Sequence, residues 1–203
     1  MEYSKEFKAA VSAFSPKEKD KLIFRLLKKD RILSHRLYFE LIDPETVDEK
    51  REQMQELVRT EVSAAAARYG RTKYFLPAIR RVSAKVTEHV KITTDKFGEV
   101  SLNLLLVAET LQHLRRHADH HKLYLYLLNK IFRTLVLTQK LDTDYYLELK
   151  EPYSMLNQLI IKDSDFAALA AHHQLNLDWF DPYNIPEHMD LVLREIKASG
   201  LLR

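Results

Sequence analysis

The chain has 203 residues, 46% hydrophobic and 30% charged, which is the composition of a folding protein and enough length for one domain over 1–203 to bury a core. It contains no cysteine, so disulfides, thiolate nucleophiles and cysteine-held metal centres are excluded and any metal would fall to His, Asp or Glu. The net charge of +3 hides a segregation of +4 over 1–41, −4 over 42–61, +6 over 62–91, +3 over 92–140 and −6 over 141–203. Such asymmetry can steer an anionic partner to one end, or let the basic and acidic ends of two copies associate.

The first stretch, "MEYSKEFKAAVSAFSPKEKDK", lacks a secretory pattern, and apolar runs such as "LLLVA" at 104–108 fall far short of the roughly 20 residues of a membrane span. A cytoplasmic protein with no membrane partner is the expectation. Short helices fill 1–41, the first over about 3–13. "SPKE" then reads as Ser15 N-cap, Pro16 at the first helical position and Glu18 closing a capping box, and "DPET" repeats the device from Asp43. Leu22, Ile23, Leu26 and Leu27 form one apolar stripe, and Ile32, Leu33, Leu37 and Leu41 the next.

The central body spans 44–140. In 44–69, Val47, Met54, Val58, Val62 and Ala65 give an amphipathic helix; in 72–93, Phe75, Ile79, Val82, Val86 and Val90 give another, with Pro77 tolerable near its start or at a kink. "HVKITTDKFGEVSLN" at 89–103 alternates apolar and polar residues about a turn, which allows a small β-hairpin near 90–102, although helix–loop–helix is narrowly preferred. Gly70, Gly98 and Gly200, the three glycines of the chain, all stand where a helix could stop. Segments 102–116 and 120–139 are apolar on several faces and should lie at the centre. Beyond Lys140 the pattern predicts a helix, a break at Pro152, another helix, an aromatic strap over 176–188 and a last helix over 187–199. The fold expected is all-α, an antiparallel helical bundle or short α-solenoid of about eight to ten helices. Residues 44–140 resemble HEAT or armadillo repeats in architecture, without a shared motif, and the resemblance implies a concave helical face able to bind a partner.

Three groups of residues could carry chemistry. "HLRRHADHHKLYLYLL" at 113–128 places Glu109, His113 and His117 on one helix face, with His120 and His121 opening the next helix. Two histidines four apart can share a divalent metal, but Arg115 and Arg116 would oppose one, and the simpler reading is an exposed joint with Asp119 as N-cap. No His-Asp dipeptide supports a phosphohydrolase of that class. The carboxylate pair Glu49 and Glu52 is of the kind that all-α nucleotide pyrophosphohydrolases use for magnesium, yet it lacks a following ExxD across a short hairpin. The basic stripe of Arg81, Lys85 and His89, flanked by Arg80 and Lys91 and preceded by Arg68, Arg71 and Lys73, could meet phosphates or an acidic protein surface. No glycine-rich phosphate loop or GxSxG nucleophile occurs. The chain therefore reads as a non-catalytic helical module that binds another protein through a groove or charged face, without metal or cofactor. A metal-dependent nucleotide phosphohydrolase and an RNA-associated helical protein are the alternatives. The residues singled out for binding are Arg80, Arg81, Lys85, His89, Glu109, His113 and His117.

Overall fold

Local capping chemistry sets the helix boundaries in a computed structural model that describes residues 2–69, 71–114 and 120–202. Among the described residues ten α-helices follow one another: α1 Lys5–Ser12, α2 Pro16–Leu27, α3 Arg31–Leu41, α4 Val47–Arg68, α5 Thr72–Thr93, α6 Lys96–Gln112, α7 His121–Thr138, α8 Tyr146–Lys162, α9 Ser164–His172 and α10 Met189–Ala198. The protein is all-α, consistent with a helical bundle or short solenoid. At the start of α2 the Glu18 carboxylate accepts the backbone N–H of Ser15 at 2.9 Å and its hydroxyl at 2.7 Å, as the sequence predicts.

The second capping device sits elsewhere than expected. Thr46, and not Asp43, opens α4: its hydroxyl accepts the Glu49 N–H at 3.2 Å and its own N–H reaches the Glu49 carboxylate at 2.7 Å. Asp43 instead accepts the Glu45 N–H at 3.1 Å, turning the chain ahead of the helix, and pairs with Lys50 at 2.9 Å.

Residues 90–102 form no hairpin. The chain leaves α5 through Thr94 at φ 56° and enters α6 at once, capped by Asp95. Val100, Leu102, Leu104 and Leu106, every second residue, are all buried because α6 is enclosed on nearly all sides. A helix buried all round produces apolar residues at any spacing, period two included. Gly98 likewise ends nothing: it lies in the first turn of α6, and its N–H donates to Asp95 at 2.7 Å. Gly200, by contrast, follows α10 with φ 87°, the left-handed terminus expected of it, while Gly70 lies outside the described residues. Pro152 does not break its segment, since α8 runs through it. Leu149, Tyr153, Leu156 and Ile160 straddle the proline on one buried face, and their packing outweighs the lost backbone hydrogen bond.

The packing order is regular. Helices α4, α6 and α8 pack in one row and α3, α5, α7 and α9 in another, and the rows join where α4 meets α5, α6 meets α5 and α7, and α8 meets α9. The core runs from Val58 on α4 to Leu202 near the end of the chain, and α6 and α7 contribute most of its fully enclosed leucines. The segment 176–188 lies along α8 as two 3-10 turns, with Phe180 edge-on to Tyr153 at 5.9 Å and Trp179 edge-on to Phe132 at 6.5 Å. Tyr183 stays mostly outside, its ring against Tyr146. Among the described residues no helix is long and apolar enough to cross a membrane.

Helices α1, α2 and α3 differ from the rest. They contain no buried residue, and Leu22, Ile23, Leu26 and Leu27, with the stripe on α3, are left half-buried or exposed. Helix α2 packs on α3, and α3 on α5, so the N-terminal helices extend the second row outward without covering their apolar sides.

Candidate interaction surface

Where α3 meets α4 and α5 the incomplete cover leaves a groove of about 450 Å³. Its apolar wall comes from Tyr38 and Phe39 on α3, Met54 and Leu57 on α4, and Ile92 on α5. Its polar rim holds His35, Lys50, Lys85, Glu88 and His89. The rim charges are tied into the scaffold: Lys50 to Asp43 and Glu45, Lys85 to Glu61, and Glu88 to Arg31 at 2.6 Å. The Lys85–Glu61 and Glu88–Arg31 pairs are exposed and add little to stability, while the Lys50 cluster is more enclosed. They order the rim more than they stabilise the fold.

His89 is the unusual group. It is 8% exposed, and its Nε2 has no hydrogen-bond partner among the described residues. Burial lowers its pKa, nearby Lys50 and Arg51 push the same way, and Asp95 opposes them. His89 is therefore a neutral imidazole at the groove, separate from the exposed basic stripe that its sequence position suggested. A buried orphan nitrogen costs about 1–3 kcal/mol.

The rest of the stripe is divided in two. Arg81 and Lys85 meet Arg68 along a shallow depression of about 320 Å³ between α4 and α5, with Glu61 among them. Arg80 turns the other way and lies over the Tyr126 ring at 5.5 Å. Lys130 also lies 5.8 Å from the centroid of that ring and donates to Asn103 at 2.6 Å. Burial, helped by Arg133, pushes the Lys130 amine down to about 8. No spacing rule draws attention to a single lysine on an apolar helix, so sequence reasoning missed it.

Glu109 and His113 come together at the far end of α6. The Glu109 side chain is 13% exposed and faces α4, with Arg59 at 3.9 Å and the His113 Nδ1 at 3.7 Å. That nitrogen also lies 2.9 Å from the Glu109 carbonyl oxygen, so His113 closes the helix end. His117 and Asp119 lie outside the described residues. His120, expected to join them, meets Thr72 at 2.7 Å. Among the described residues no three His, Asp or Glu side chains are grouped to hold a metal ion. Glu49 of the carboxylate pair is engaged in the α4 cap.

The surface that sequence reasoning missed is the N-terminal one. Tyr3, Phe7, Phe14, Ile23, Phe24 and Leu26 are all exposed, with Phe24 at 64%. The signal was present as helical periodicity, but periodicity marks an apolar face without saying what covers it. Comparison with protein-family models, with curated proteins and with solved structures finds no match for this chain.

Proposed function

We propose that the chain is a non-catalytic, cytoplasmic helical module that binds a protein partner along the apolar sides of α1–α3 and the groove beside them. One observation carries the reading: the described residues 2–42 hold a series of large apolar side chains, Phe7, Phe24 and Leu41 among them, and none is buried. Scattered exposed apolar residues are ordinary, but large ones recurring on three successive helices, none of them covered, suit a surface that another molecule covers. Lysines interleave with these residues, so the partner surface is apolar with an acidic margin. The absence of cysteine supports the location.

The test is cross-linking with mass spectrometry on the full chain in extract of its host, with a Phe7→Ser/Phe24→Ser variant in parallel. Reproducible cross-links from Lys17, Lys21 or Lys28 to a polypeptide, a second copy included, should disappear in the variant. If no cross-link depends on Phe7 and Phe24, this face does not bind protein and the proposal fails.

A further inference from the structure

Beyond α10 the chain is fastened by a bond that only an uncharged histidine can accept. The backbone turns through Gly200 at φ 87° and brings Leu202 back onto α7 and α9. There the Leu202 N–H donates to Nδ1 of His173 at 3.1 Å, and the Asn129 amide reaches the Leu202 carbonyl at 3.4 Å. Asn129 gives its shorter hydrogen bond, 2.9 Å, to the Leu125 carbonyl, which leaves His173 as the main polar tie. Leu202 is 7% exposed and belongs to the core, and Leu201 packs half-buried against it. The backbone is strained on both sides of this contact. Leu202 has φ 63° and Gln174, next to His173, has φ 61°, left-handed values that are unfavourable for a residue with a Cβ. Such a conformation persists only while its surroundings hold it.

We propose that residues 201–202 form an acid-released latch, closed on α7 and α9 while His173 is uncharged and open when its imidazole takes a proton. This device lies apart from the partner surface on α1–α3. A neutral imidazole with its proton on Nε2 keeps a lone pair on Nδ1 for the Leu202 N–H. In the imidazolium both nitrogens are donors, so two N–H groups would face each other across 3.1 Å. Burial lowers the His173 pKa, and His172 on α9 and His121 on α7 push the same way. Asp165, two turns back on α9, lines the neighbouring cavity with those two histidines. Opening the latch lets water reach His173 and returns its titration towards the ordinary value of 6.5. The closed state therefore takes up the proton less readily than the open one. Closure has its full stability above 6.5 and loses it as pH falls from there towards the lowered value. The opening is local: Met189 and Ile196 keep α10 buried, and the Ser199 hydroxyl donates to the Ile196 carbonyl at 2.7 Å, which leaves Gly200 as the hinge. Release exposes Leu201, Leu202 and the apolar surface beneath them.

Amide hydrogen exchange on the full chain, read residue by residue by NMR from about pH 7.5 to 5, tests the latch. The Leu202 protection factor should fall roughly tenfold for each unit of pH below about 6.5, while that of Leu127, fully buried on α7, stays level. A His173→Asn variant offers its Oδ1 as an acceptor that does not titrate in this range, so its Leu202 amide should stay protected at about pH 5. A Leu202 protection factor that is flat across the range overturns the proposal. So does one that falls in step with Leu127, because the whole fold is then opening. An equal acid loss in His173→Asn and the wild type assigns the effect to another group and overturns it too. Should that variant not fold, the wild type decides: the loss of Leu202 protection must follow the titration of the His173 ring measured on the same sample, and a loss that does not follow it refutes the latch.

Discussion

Lys130 shows how one residue acquires a property its type does not give it. On α7 it is held among Tyr126, Asn103 and Arg133, and the low polarity of that site, with Arg133 beside it, brings its pKa down to about 8. The unfolded chain keeps the ordinary lysine value of about 10.4. Between those values the unfolded state binds the proton and the folded state does not, so stability rises with pH across the window and the charged form costs stability below it. Denaturant titrations at pH 7.5 and 10 should show the wild type gaining on the order of 2 kcal/mol relative to Lys130→Met, whose profile lacks this contribution. His89 follows the same logic with the sign set by burial, being neutral in the fold and disfavouring protonation as pH falls through the ordinary histidine range.

The joint between α5 and α6 belongs to the scale of elements. Asp95 does three things there: it accepts the Gly98 N–H at 2.7 Å as the cap of α6, it takes the Arg51 guanidinium at 2.6 Å, and it thereby ties α4 to the turn. Arg51 also reaches Asp48 at 2.9 Å and lies over the Phe97 ring at 4.8 Å. A Cβ on residue 98 would come within 2.6 Å of the Asp95 Cγ, with Arg51 Nε at 3.2 Å. Glycine is required at this position by close approach, not by an unusual backbone angle. Gly98→Ala should therefore displace the carboxylate and loosen both cap and ion pair, lowering unfolding free energy by about 1–3 kcal/mol in urea titration. A change within about 0.5 kcal/mol would mean that the carboxylate moves aside at little cost. The sequence presents Gly98 as a helix stop, and only the arrangement of α4 against α6 reveals why glycine stands there.

At the scale of the molecule the core and the exposed helices separate cleanly. Every fully buried side chain described lies at Val58 or beyond, and α1 and α2 contribute none. A chain starting at residue 30 should therefore unfold within about 4 °C of the full chain in calorimetry while losing the associations assigned to α2. A much larger drop would show that the first two helices carry core stability that their exposure conceals.

Much was fixed by local chemistry and so was legible in the amino-acid sequence: the all-α class, the Ser15–Glu18 capping box, the central position of α6 and α7, and the strap that covers α8. These depend on the spacing of apolar residues and on caps a few positions away, which a linear reading captures. Other features depended on which surfaces meet. The alternation of Val90, Ile92, Val100 and Leu102 reads as strand or helix until the neighbours on every side of α6 are known. Pro152 reads as a break until the buried face that spans it is seen. Arg81, Lys85 and His89 share a spacing but not an environment, because α3 and α4 pack against α5 and cover only the last of them. Glu109 faces Arg59 and His113 because α4 runs beside α6. The apolar stripes of α2 and α3 show the same dependence: periodicity determines that a helix has an apolar side, and tertiary packing alone decides whether this chain covers it.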